Sequence, residues 1–255
     1  MTLHMRNAPG ACLTTCSYGL SRLDFRGPWR PTDGGYLACL GGSETFARDV
    51  PHPFPELLEQ ETGTVCLNLG QQMAGPDLFL RDHAVRALVH DASAVVIQIM
   101  GAVNLSNRFY KVHPRRNDRF IAPCSPLRAL YPEVDFTEIA FTGHLMARLA
   151  ETDPLRVSEV RRVLRGCWMR RMRELVGLAN GPVHLLWFAP RHPEDPADNG
   201  HDPSLVTPEM LTALEAAGTK VTQVVYDGSP GVLPQMPCTP DHRRAAAALC
   251  DAMGR

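Results

Sequence analysis

Five apolar runs alternate with amphipathic stretches along the chain. The runs lie at 36–40, 64–69, 94–100, 183–188 and 221–226. Each is short, rich in β-branched or aromatic residues, and closed by a turn former or a polar loop, which predicts buried strands. The run at 94–100 is apolar at nearly every position, as a strand covered on both faces must be. Helices are predicted between the runs, at 54–60, 77–91, 137–149, 153–176, 208–217 and 241–253. The longest carries Val157, Val160, Val163, Leu164, Trp168, Met172 and Leu175 at a spacing near 3.6. Its Arg161, Arg162, Arg165, Arg170, Arg171 and Arg173 are expected on the wet face.

Alternating strands and helices predict an α/β protein, a three-layer sandwich with a central five-stranded parallel sheet. Residues 1–35 show no sustained period and predict an irregular arm, pinned by Trp29. Residues 36–255 then form a single domain, with 102–135 an inserted segment on the active-site side, because loops of that length are usually functional or a cap.

Composition narrows the class. The chain has 255 residues, 44% apolar and 21% charged, which excludes intrinsic disorder. Lys and Arg number 26 against 27 Asp and Glu. That balance argues against a nucleic-acid or anionic-membrane partner, which would need a broad basic surface. No run reaches the length of a membrane helix and no apolar leader opens the chain, so a cytoplasmic protein is expected. Eight cysteines without a C-x-x-C read as reduced structural residues. No zinc spacing, Walker A loop or G-x-G-x-x-G is present, so neither a metal nor another cofactor is expected. No oligomeric state is implied.

In a parallel α/β sheet the site lies outside the carboxyl ends of the strands. The loops there read Gly41-Gly42-Ser43-Glu44-Thr45 after the first run, Asn68-Leu69-Gly70 and Ala74-Gly75 after the second, and Gly101-Ala102-Val103-Asn104 after the third. Asp241-His242 opens the last helix. Taken together, and over about residues 36–253, these four blocks resemble the SGNH (GDSL-like) hydrolase superfamily as a divergent member. The resemblance implies a flavodoxin-like sheet and an ester substrate. Ser43 would be the nucleophile, Ser43, Gly70 and Asn104 the oxyanion donors, and His242 the proton carrier. The chain departs from the family pattern at Gly42 and Thr239, where the family has aspartates. A Ser–His dyad or a repurposed scaffold therefore stand beside a full triad.

Gly42 and Glu44 are placed with the substrate, and Glu44 also suits the dipole of the helix it opens. Lys111, Arg115, Arg116 and Arg119 crowd the insert. Arg115, Arg116 and Arg119 form a candidate anion clamp, since guanidinium forks match carboxylate, phosphate or sulfate. Three readings follow. The first is a serine hydrolase or acyltransferase for a small-molecule or carbohydrate-linked ester, anionic in character. The second is a non-catalytic glycan- or anion-binding scaffold. The third is a transferase that takes a phosphate- or sulfo-donor at the Gly41-Gly42-Ser43 turn.

Overall fold

A computed structural model describes residues 13–196, 202–227 and 236–254. The arm holds a small antiparallel pair, β1 (Thr15–Cys16) and β2 (Phe25–Arg26). The alternating body begins with β3 (Tyr36–Leu40), α1 (Ser43–Phe46), α2 (Phe54–Thr62) and β4 (Val65–Asn68). It continues through α3 (Pro76–Arg81), α4 (His83–Asp91) and β5 (Ala94–Gln98). The insert carries β6 (Tyr110–Val112), β7 (Phe120–Pro123) and α5 (Ser125–Leu130). Then come α6 (Thr142–Thr152), α7 (Arg156–Val176), β8 (Val183–Ala189), α8 (Pro208–Glu215), β9 (Lys220–Val225) and α9 (Thr239–Ala252).

The central sheet has the order β4-β3-β5-β8-β9, and every pairing is parallel. This is the flavodoxin-like order, in which successive strands fall on opposite sides of the first. Alternate residues feed two cores. Ala38, Leu40, Val95, Ile97, Leu185 and Trp187 point to the face covered by α3, α4, α6 and α7. Leu37, Cys39, Val96, Leu186 and Phe188 point to the face covered by α2 and α9. Burial on both faces is why these strands read as continuous apolar runs.

Four expectations change. The arm is pinned by Tyr18, Leu23 and Phe25, all buried, while Trp29 is 57% exposed. The stretch at 77–91 is two helices. Asp82 caps the second, accepting from the amides of Ala84 and Val85 at 3.0 and 3.1 Å, a favoured role for aspartate. The insert, expected as a loop or helical segment, carries a hairpin as well as a helix. Its register shifts between Lys111 and Val112. Arg171 turns inward from α7, its Nε 2.8 Å from the buried carboxylate of Asp77.

Candidate active site

The sheet order reverses between β3 and β5, and a cavity of about 230 Å³ opens there. Its wall includes Gly42, Ser43 and Glu44 after β3, Met73 and Ala74 after β4, and Gln98, Ile99, Met100, Val103 and Asn104 from the end of β5 onward. Asp202, Ser204, Tyr226 and Met236 close the far side. Among the described residues, the cavity wall holds two carboxyl groups and no Lys, Arg or His.

Gln98 organises the floor. Its Oε1 accepts from the amides of Gly42 (3.0 Å) and Thr45 (3.2 Å) and from Thr45 Oγ1 (2.5 Å). Its Nε2 donates to Glu44 Oε2 at 2.7 Å. The close fit demands glycine at 41, where a Cβ would lie 2.4 Å from Gln98 Oε1. Two amides of this turn, those of Gly42 and Thr45, are therefore already taken by Gln98, which leaves a phosphate- or sulfo-donor at Gly41-Gly42-Ser43 fewer donors than an open helix start would offer.

Ser43 is the first residue of α1, and its Oγ accepts from the amide of Met73 at 3.1 Å. Met73 has φ +55, a left-handed conformation rare for a long side chain. Its carbonyl in turn accepts from Asn104 Nδ2 at 3.3 Å, and Asn104 Oδ1 accepts from Thr142 Oγ1 at 2.6 Å. Gly75 must be glycine to pass Asn104, whose carbonyl oxygen would lie 2.0 Å from a Cβ.

Ser43, Gly42, Glu44 and Asn104 thus share one cavity wall. Gly70 does not line it, and its amide donates to Asn68 Oδ1 at 3.0 Å. The backbone donor that faces Ser43 Oγ is Met73, which carries no sequence signature. Glu44 is not a solvated helix-start carboxylate. It is half-buried in the wall, and burial first, then the charge of Asp202, push its carboxyl up to about 7.

His242 sits elsewhere. Its ring is fully buried, stacked on Phe54 at 6.2 Å and edge-on to Phe188 at 5.1 Å. Nδ1 accepts the amide hydrogen of Phe54 at 3.1 Å, and Nε2 has no hydrogen-bond partner. Burial pulls the ring down to about 4, so it is neutral at pH 7. A neutral ring that accepts at Nδ1 carries its proton on Nε2 and has no lone pair left for a serine. The expected Ser43–His242 dyad is not formed. The helix period held the signal: His242 falls in register with Ala245, Ala246 and Leu249, the buried stripe of α9.

The basic residues lie outside the cavity as well. Arg115 and Arg116 line a separate groove with Arg48 and Gln71, which meets the cavity at Met73. Arg119 lays its guanidinium over Phe141 at 4.2 Å. The three do not form one clamp. Of the acidic loop after β8, Asp198 and His201 lie outside the described residues. Among the described residues no cluster of three or more His, Cys, Asp or Glu has metal-binding geometry, and no helix is long and apolar enough to cross a membrane.

One family model, described as a domain of unknown function (DUF6473), spans residues 1–254. The chain belongs to the DUF6473 family. No curated protein matches it. Solved structures similar to this DUF6473 chain include LAE5, an α/β hydrolase from the metagenome of Lake Arreo. It is 14% identical, with a TM-score of 0.48 over 87% of this chain and 95% of that one. An Axe2 mutant, an acetyl-xylooligosaccharide esterase from Geobacillus, is 13% identical, with a TM-score of 0.47 over 87% and 95%. A G-D-S-L family lipolytic protein from Veillonella parvula is 13% identical, with a TM-score of 0.44 over 87% and 100%.

Proposed function

We propose that this chain is a serine hydrolase or acyltransferase of the SGNH type, acting on a small ester. The observation that carries the reading is Ser43, a hydroxyl held at the opening of α1 in the cavity wall, 3.1 Å from the Met73 amide. Ser43 attacks the acyl carbon. The Met73 amide, and Asn104 once it lets go of the Met73 carbonyl, are the donors placed to receive the developing oxyanion. The cavity volume of about 230 Å³ suits a short acyl group. Its two carboxyl groups favour a neutral or cationic substrate portion over an anionic one.

The test is covalent labelling. A fluorophosphonate is expected to modify the folded protein on Ser43, with the Oγ–P bond forming as fluoride leaves. Ser43→Ala is expected to abolish the adduct while keeping its melting temperature. An unlabelled wild-type protein, under conditions that label an active esterase, sinks the reading.

One observation favours a second reading, a scaffold that binds an anion or glycan without chemistry. Arg48, Arg115 and Arg116 line an open groove beside Met73, where they outnumber Asp24 and Asp118. In that case Arg116→Ala weakens ligand binding and Ser43→Ala leaves it unchanged.

A further inference from the structure

We propose that Glu44, not His242, takes the Ser43 proton. The inference rests on the serine-nucleophile reading above and names its missing base. Ser43 and Glu44 are the first two residues of α1, and both line the same cavity. Gln98 fixes the carboxyl. Because Gln98 Oε1 accepts three hydrogen bonds from the α1 turn, its amide has one orientation, and Nε2 is aimed at Glu44 Oε2. A carboxyl held this way keeps its position as it titrates. Gln98 is thus a positioning residue for the base.

Neither His242 nor Tyr226 competes for the role. His242 offers only a protonated Nε2, shut among Phe54 and Phe188. Tyr226 is buried at the end of β9, and burial pushes its phenol far up. Asp202 faces Glu44 from the loop after β8 and raises its affinity for a proton. A base is most effective when it titrates near the working pH, and Glu44 does so at about 7.

The proton balance closes on one group. As Ser43 Oγ bonds to the acyl carbon, its proton passes through one water to the Glu44 carboxylate. Collapse of the tetrahedral intermediate breaks the ester C–O bond, and the Glu44 proton leaves on the alcohol. In deacylation, water gives its proton to Glu44 as its oxygen bonds to the acyl carbon. Breaking the Ser43 ester bond then returns that proton to Oγ.

The experiment is the pre-steady-state acylation rate with p-nitrophenyl acetate, followed against pH, with the acetyl group mapped by mass spectrometry. Wild type is expected to acylate Ser43 along a single rising limb centred near pH 7. Glu44→Gln is expected to slow acylation roughly 100-fold or more and to erase the limb. Asp202→Asn, which removes a neighbouring negative charge, is expected to shift the limb to lower pH. His242→Gln is expected to keep the limb. The assignment is overturned if Glu44→Gln retains the limb or if His242→Gln loses it. Should Glu44→Gln fail to fold, an unmoved limb in Asp202→Asn overturns it equally. Acylation of wild type with the wrong pH profile sinks the base alone, whereas no acylation of Ser43 sinks the hydrolase reading and the base together.

Discussion

His242 Nδ1 accepts the amide hydrogen of Phe54 at 3.1 Å, tying the first turn of α9 to the first turn of α2. The bond requires the neutral ring, and burial, reinforced by Arg26, holds the ring at about 4 against Asp241, which pulls the other way. The unfolded chain binds that proton near 6.5. Between these values the unfolded state holds more protons, so stability falls as pH drops from about 6.5 to 4. The contribution at pH 7 is about 3 kcal/mol. Urea unfolding of wild type is expected to show this loss across that window. His242→Gln is expected to flatten it, and an unchanged pH profile in that variant would contradict the assignment.

Gln98 satisfies two backbone amides and a hydroxyl of the α1 turn from one oxygen. Each buried donor left without a partner costs about 1–3 kcal/mol. Gln98→Leu keeps the apolar stem of β5 but abandons all of them. It is expected to destabilise the protein by about 2 kcal/mol or more in urea titrations. It is also expected to slow labelling of Ser43, because the Glu44 carboxyl loses its anchor. A variant with wild-type stability and labelling would show that the turn holds itself.

The central strands were legible because burial on both faces leaves a continuous apolar run that needs no period. The hairpin of β6 and β7 was not, since Tyr110–Val112 and Phe120–Pro123 are too short to show alternation. Asp82 reads as one polar residue in a helical stretch until its capping bonds are seen. In the site, Ser43 and Asn104 stand in recognisable blocks. Met73 matters through its backbone, and Gln98 is a polar residue hidden in a strand. Asp202 reaches the cavity from a loop that no local pattern marks. His242 shows the limit of matching blocks in order: a motif names a residue type, and the helix face decides which way it points.

Met73 adopts φ +55 while the residue is 44% exposed. A left-handed conformation costs a non-glycine residue roughly 1–2 kcal/mol, and glycine avoids it. Met73→Gly leaves the amide that donates to Ser43 Oγ. It is expected to raise stability by up to about 1 kcal/mol, partly offset by the greater freedom of the unfolded chain, with Ser43 labelling retained. Met73→Val is expected to lower stability, since a β-branched residue resists that conformation. Equal midpoints for the glycine and valine variants in urea would argue against strain here.

Asp77 accepts from Arg171 Nε at 2.8 Å, from an Arg81 guanidinium nitrogen at 3.1 Å and from the amide of Ser106 at 3.2 Å, with its side chain 2% exposed. It is thus the buried node that joins α3, α7 and the start of the insert. Removing the carboxylate leaves Arg171, 35% exposed, free to turn to water, and the Ser106 amide without its acceptor, at a cost of about 1–3 kcal/mol. Asp77→Ala is expected to lose that much stability. Arg81, 43% exposed, forms the outer arm of the node, and Arg81→Ala is expected to cost no more than about 1 kcal/mol, with a loss that shrinks further in high salt. Pairing Asp77→Leu with Arg171→Met removes both charges and leaves apolar stems in their place, so the double variant is expected to be more stable than Asp77→Ala alone. If instead all these variants unfold at the same urea concentration as wild type, the node holds no more than surface ion pairs do, and the docking of α3 on α7 rests on apolar packing alone.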